Sequence, residues 1–176
     1  ERQVCDLADS FHDAGHAVSI LNVTGPVVFT PKNPDIKIYS LHMNKTIVGF
    51  FSGYLMLRSL VNTINPDIVH SHQFSANILT RLLRLSFTKI PRLICTAHNT
   101  NEGGSLRMLA YRLTNFLADF NTNVSQEAVD AFVAKKAFRQ GQLLAMPNGI
   151  DTDKFKKILT QSDMNALRNT LGIAEQ

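Results

Sequence analysis

Charge is scarce in this 176-residue chain. Only 18% of residues are charged, and eighteen Lys and Arg against fourteen Asp and Glu leave a formal +4. So small a surplus suits an anionic ligand or a membrane surface, and it is too weak to argue for nucleic acid. The interleaved aromatic and basic residues of RNA-binding modules are missing, as are C2H2 and helix-turn-helix patterns. Cysteine is nearly absent. Cys5 and Cys95 stand far apart inside apolar segments, which excludes a disulfide framework or a metal-ligand spacing and points to a reducing compartment. Cys95 precedes Thr96-Ala97-His98, so a thiol nucleophile is conceivable, but a buried strand cysteine is the better reading. Repeats and low-complexity tracts are lacking. No signal peptide is visible, although the first residue is Glu1 and not Met. Without a secretory signal, the Asn-x-Ser/Thr triplets at Asn22, Asn44 and Asn123 are read as chance.

What is present is ordinary for a soluble α/β protein: 44% apolar residues, enough for one domain with a core plus a tail. The most apolar run, Ile47–Ile64, is about long enough to be weighed as a membrane span. It carries Arg58, Asn62 and two glycines and leads into a strand pattern, so a buried helix is expected there.

Two kinds of segment alternate. Strands are expected at 17–23, 36–40, 67–70, 92–96, 122–125 and 142–146. Helices are expected at 2–14, with Val4, Leu7, Ala8 and Phe11 on one face, and at 48–64, 74–86, 105–119 and 126–135. Ser125 suits the N-cap of the last of these, and Gly15 suits the stop of the first. Residues 24–46, broken by Gly25, Pro26, Pro31 and Pro34, read as an irregular connection. Mostly apolar strands separated by helices indicate a parallel sheet covered on both faces: a Rossmann-like, doubly wound α/β fold. Such a unit normally opens with a strand and a glycine turn, whereas this chain opens with a helix. The expectation is therefore a trimmed sequence whose first strand, near the middle of the sheet, lay upstream. A polar helix at 162–171 reads as part of a linker to a second domain.

Four local patterns then occur in order. They are Glu1-Arg2-Gln3-Val4 with Ala14-Gly15-His16-Ala17-Val18; Asn65-Pro66-Asp67-Ile68-Val69-His70-Ser71-His72; Thr96-Ala97-His98-Asn99; and Asn123-Val124-Ser125 followed by Pro147-Asn148-Gly149-Ile150-Asp151 and Phe155. Each is weak alone. Together, over roughly residues 1–157, they resemble the N-terminal half of GT4-type retaining glycosyltransferases of the GT-B fold. The resemblance implies an acceptor-binding domain at 1–157, with 158–176 as linker or the start of a donor-binding domain.

Ligands of open α/β sheets bind beyond the carboxyl ends of the strands, where His70, His72, His98, Asn99 and Ser125 fall. His98 is the candidate catalytic residue, since the family places a histidine there facing the transferred sugar and the incoming hydroxyl. His72, Asn99, Thr100, Glu102 and Ser125 are candidate acceptor-binding residues, and Asn148 and Asp151 candidates for the interdomain cleft. The plainer readings stand beside these. His70 reads as an inward, hydrogen-bonded histidine, and Asn99 and Thr100 as loop formers. Gly103-Gly104 suits a mobile loop or a plain turn, Glu102 loop solvation, and Asn148-Gly149 a turn. The basic and apolar stretch around Arg81, Arg84, Lys89 and Arg92, and likewise 105–119, could dock on anionic lipid. A core-facing leucine stripe with solvated arginines is the preferred reading of both.

The activity implied is transfer of a sugar from a nucleotide-diphosphate donor to an acceptor hydroxyl, sugar or lipid-linked, with retention of configuration. No metal or cofactor is implied, since cationic side chains can offset the leaving charge. The fragment is expected to be inactive alone. The setting is expected to be cytoplasmic, with possible peripheral membrane contact, and surface-polysaccharide synthesis is the pathway guessed from the family's abundance. Two rivals remain: a non-catalytic Rossmann-like ligand-binding or interaction domain, and a sugar-nucleotide epimerase half, which would need carboxylates where this chain has His98 and Asn99.

Overall fold

A computed structural model describes residues 2–44, 46–86, 90–150, 152 and 160–172. Their order is α1 (Arg2–Asp13), β1 (Ser19–Asn22), β2 (Lys37–Ser40), α2 (Ile47–Ile64), β3 (Ile68–His72), α3 (Phe74–Leu85), β4 (Arg92–Ala97), α4 (Ser105–Thr114), a 3-10 turn (Asn115–Leu117), β5 (Phe120–Asn123), α5 (Gln126–Ala134), β6 (Leu144–Ala145) and α6 (Gln161–Leu171). All strand pairs are parallel and helices flank them, as the alternation of segments predicts.

The strands form two ladders, β1–β2 and β3–β4–β5–β6, and no rung joins the two among the described residues. They nevertheless share a core. Leu21 and Val23 from the β1 side and Val69 of β3 pack on Leu57, Val61, Leu79, Leu83, Leu93 and Cys95. A second cluster gathers Met108, Tyr111, Val129, Phe132, Phe138 and Leu143 under α4 and α5. Each fully buried Leu or Phe contributes roughly 1.5–3 kcal/mol.

Local chemistry sets the helix ends. Thr46 caps α2 by accepting the Gly49 N–H at 3.0 Å, and Asn65, in the left-handed region at φ 50°, ends it. Gly49 and Gly53 let α2 lie directly on the preceding segment: a Cβ at Gly53 would stand 2.8 Å from Met43 Cγ, and one at Gly49 would overlap the carbonyl of Asn44. With its Gly49, Gly53, Leu57 and Val61 face turned inward, α2 leaves Ile47, Val48, Phe51 and Leu55 exposed. The expected buried helix is thus buried on one side only. It is also the one described helix long and apolar enough to cross a membrane.

Two boundaries and one buried face differ from expectation in ways that matter. β3 runs on to His72, so His72 is a strand residue and does not lie past the end. β5 begins two residues early, at Phe120, and is polar: Asn121, Thr122 and Asn123 are all buried. On α1, Cys5, Ala8 and Asp9 are the buried residues while Phe11 is exposed, because the Asp9 carboxylate turns inward to accept the Lys32 and Asn33 N–H groups.

Candidate functional site

Side chains alternate across a strand, and the parallel register extends that alternation sideways. His72 pairs with Thr96 and Thr96 with Thr122, so these three share a face with His70. Ser71, Cys95 and Asn121 point to the other face, which α3 covers: Asn77 accepts from the Ser71 hydroxyl at 2.7 Å, and Arg81 donates to Asn121 at 2.5 Å.

The histidine face is continuous at its carboxyl end. The rings of His70 and His72 lie 4.1 Å apart, and those of His72 and His98 5.2 Å apart. His72 Nδ1 and His98 Nε2 are hydrogen-bonded at 2.9 Å, so one ring donates to the other. Below them His70 Nε2 meets the Thr96 hydroxyl at 2.7 Å, and Thr96 meets the Thr122 hydroxyl at 2.7 Å. His70 is therefore the inward, hydrogen-bonded histidine its position suggests. Burial holds the histidines below their ordinary 6.5, His70 at about 4 and His72 at about 3, each with neighbouring histidine charge adding to the effect. His98 is lowered too, again chiefly by burial. All three are neutral at pH 7, so each ring offers one N–H and one lone pair.

The His98 loop is anchored from within. Glu102 is buried, accepts the His98 backbone N–H at 3.2 Å through Oε1 and takes the Tyr111 hydroxyl on Oε2. Its carboxylate therefore faces the protein, and neither loop solvation nor an open acceptor contact describes it. Tyr111, whose hydroxyl is pushed up by burial and by the Glu102 charge, also accepts from Asn77, which donates to the Thr96 carbonyl. Sequence reasoning missed Asn77, Tyr111 and Asn121, and read as solvated an Arg81 that is buried. The one local signal was the polar run Asn77, Thr80, Arg81 on α3, which reads equally well as a solvated face.

The other candidates sit as follows. Asn99 and Thr100 are exposed, their carbonyls held by Asn123 and Lys135. The Ser125 hydroxyl caps α5 by accepting the Ala128 N–H, so its N-cap reading holds. Gly103 and Gly104, at φ 95° and 89°, form the turn into α4. Asn148 is exposed. Asp151 lies outside the described residues. So does Asp153, which with Asp151 spells an Asp-x-Asp in the sequence.

The comparisons agree with this fold. The model of Glycosyltransferase Family 4 matches residues 1–154. No curated protein sequence matches the chain. Among solved structures, a sucrose-phosphate synthase chain from Thermosynechococcus elongatus superposes with a TM-score of 0.65 at 16% identity, covering 97% of this chain and 93% of that one, which is a likeness of fold.

Proposed function

The chain belongs to Glycosyltransferase Family 4, and from that premise we propose that it is the acceptor-binding half of a retaining glycosyltransferase acting on a nucleotide-diphosphate sugar. The observation that carries the reading is the hydrogen-bonded, half-buried His72–His98 pair at the carboxyl end of the sheet.

His98 has the catalytic position in this proposal. Its Nε2 is engaged by His72, which leaves Nδ1 for a ligand. Where His72 donates, His98 Nδ1 carries the proton and donates to a sugar oxygen; where His98 donates, Nδ1 is a lone pair that accepts from an acceptor hydroxyl. Both states are neutral, so either can be held in a desolvated site without a buried charge; passing from one to the other exchanges a proton at His72 Nε2 as well as at His98 Nδ1. Glu102 and Tyr111 act as positioning residues through the His98 backbone. Asn99 and Thr100 present exposed polar side chains beside it. Residues 1–157 make up the domain in this reading, and 158–176 lead towards the donor half. A reducing, cytoplasmic setting fits Cys95, which is buried in β4 outside any disulfide.

The test is sugar transfer from a panel of nucleotide-diphosphate sugars. In a protein carrying both halves, His98→Ala is expected to lower transfer by about a hundredfold or more. The present 176 residues alone are expected to give none. Undiminished transfer by His98→Ala removes His98 from the chemistry, and transfer by the isolated chain overturns the two-half reading. Binding of donor or acceptor with no transfer by the two-half protein would favour a non-catalytic domain.

A further inference from the structure

We infer that His72 and His98 form a two-ended proton relay, in which His72 carries the acceptor's proton from His98 out to water during sugar transfer. The inference rests on the sugar-transfer reading and adds a role for His72, a positioning residue that acts through His98.

The geometry leaves both ends of the pair open. His72 Nδ1 and His98 Nε2 occupy each other at 2.9 Å. The other two ring nitrogens, His72 Nε2 and His98 Nδ1, make no hydrogen bond among the described residues. Neither is sealed in, because Arg81 Nε is the one buried side-chain nitrogen or oxygen without a partner there. Both free nitrogens therefore reach solvent. The rings between them are held still. His70 lies 4.1 Å from His72 and is tied through Thr96 to Thr122, and Glu102 accepts the His98 backbone N–H.

Carboxylates are kept off the rings. Glu102 turns its oxygens to the His98 backbone and the Tyr111 hydroxyl, and no other carboxylate among the described residues is bonded to either histidine. An imidazolium at His98 would lack a counter-charge, and burial already disfavours it. A proton arriving at His98 Nδ1 is thus passed on and not stored.

Before transfer, His98 Nε2 donates its proton to His72 Nδ1, His72 Nε2 carries its own, and His98 Nδ1 presents a lone pair. The acceptor oxygen then bonds to the anomeric carbon as the bond from that carbon to the phosphoryl oxygen breaks, its electron pair leaving with the nucleoside diphosphate. The hydroxyl proton moves to His98 Nδ1, the Nε2 proton to His72 Nδ1, and the His72 Nε2 proton to water. Both rings end neutral, each in its other tautomer, and water restores the first state once the product has left. Water is the sink at neutral pH, because a terminal phosphoryl group with a second pKa of about 6 stays mostly unprotonated.

The experiment compares His72→Asn with the parent in the protein carrying both halves, with UDP-, GDP- and ADP-linked hexoses as donors. The Asn amide reaches the place of Nδ1 and can bond His98 Nε2, but it passes no proton on. On a donor that the parent uses, kcat is expected to fall by about tenfold or more while KM stays within about twofold. Added imidazole should restore part of kcat in His72→Ala, where the missing ring leaves room for it, and change nothing in the parent. Full kcat in His72→Asn means that His72 only orients His98; that overturns the relay and leaves His98 its place. No transfer by the parent overturns the sugar-transfer reading and the relay with it. Nitrogen-15 spectra of the histidine rings in the 176-residue parent at pH 7 need no variant to fold. They are expected to show both neutral tautomers at His72 and at His98. A His98 ring with its proton on Nδ1 alone overturns the relay.

Discussion

α3 and α4 are written in nearly the same letters, F-S-A-N-I-L-T-R-L-L-R-L and S-L-R-M-L-A-Y-R-L-T, and they meet opposite fates. On α3, Leu79 and Leu83 are fully buried and Arg81 is buried with them; on α4, Leu106 and Leu113 are among the most exposed apolar residues of the chain. Position in the layer makes the difference. α3 lies against β3 and β4 with α2 and α4 as neighbours, whereas α4 packs on α3, on the 3-10 turn and, through Met108 and Tyr111 alone, on the second core. A leucine–arginine stripe specifies that a helix has two faces, and the neighbours decide what each face touches. The core-stripe reading therefore holds for Leu79 and Leu83 of α3, and fails for Leu85 at its end and for the leucines of α4. The solvated-arginine reading fails at Arg81.

The sharpest way to break the comparison is to truncate matched leucines. Leu79→Ala is expected to cost roughly 2–5 kcal/mol in urea unfolding, since a well-packed site collapses only partly. Leu113→Ala should stay within about 0.5 kcal/mol. Equal losses would mean that α4 is covered in solution.

Arginines give the next contrast. Arg81 reaches Asn121 and the Thr114 hydroxyl and lies 5.0 Å from the Tyr111 ring centre, with Nε unpartnered. A buried cation without a carboxylate is costly, so its neutral oxygens and aromatic faces must hold it. Arg81→Ala removes these contacts and orphans the Asn121 amide oxygen, at about 3 kcal/mol. Arg112→Ala should have almost no effect on stability by the same assay.

How much of this was legible follows from sequence distance. The parallel sheet and the shared rim of His72 and His98 could be read because the alternation of apolar strands with helices is a local pattern, taken segment by segment. Asn77 and Tyr111, or Arg81 and Asn121, are brought together by the sheet, and no window along the chain contains both partners. β5 was misplaced by two residues because Asn121 and Thr122 do not look like a buried strand until Arg81 and Thr96 are opposite them. Glu102 was misread although Tyr111 is close in sequence, because only the packing of α4 into the second core turns that hydroxyl onto the carboxylate.

Acid separates the two sides of the molecule more gently. An unfolded histidine takes up its proton near 6.5, whereas folded His70 and His72 resist until about 4 and about 3. The folded state is thus fully favoured above pH 6.5 and loses stability as pH falls from there towards 4. Asp119, held low first by the Arg84 hydrogen bond, titrates only below its ordinary 3.8 and stays outside that window. The slope of stability between pH 6.5 and 4 should flatten in His72→Gln and be unchanged in Lys135→Glu with Lys136→Glu, as thermal melts across that range would show.

The smallest effect is the most diagnostic. α3 and α4 begin from almost the same backbone conformation, Gln73 at φ 70°, ψ 162° and Gly104 at φ 89°, ψ 173°, and neither makes a side-chain cap bond. Such a conformation is open to glycine and costs another residue about 1–3 kcal/mol. α4 uses the residue that fits. α3 uses Gln, directly after His72, and the surroundings hold it: the Gln73 N–H donates to the Thr96 carbonyl and its own carbonyl accepts from Asn77. Gln73→Gly relieves the strain and gives back roughly 0.5–1 kcal/mol as added freedom of the unfolded chain. A net gain of about 1 kcal/mol is therefore expected, against a loss of similar size for Gly104→Ala. If Gln73→Gly lowers stability instead, the turn after His72 is relaxed in solution and the two helices do not start alike. If it raises stability while weakening sugar transfer by the two-half protein, the strain at Gln73 serves the histidine beside it.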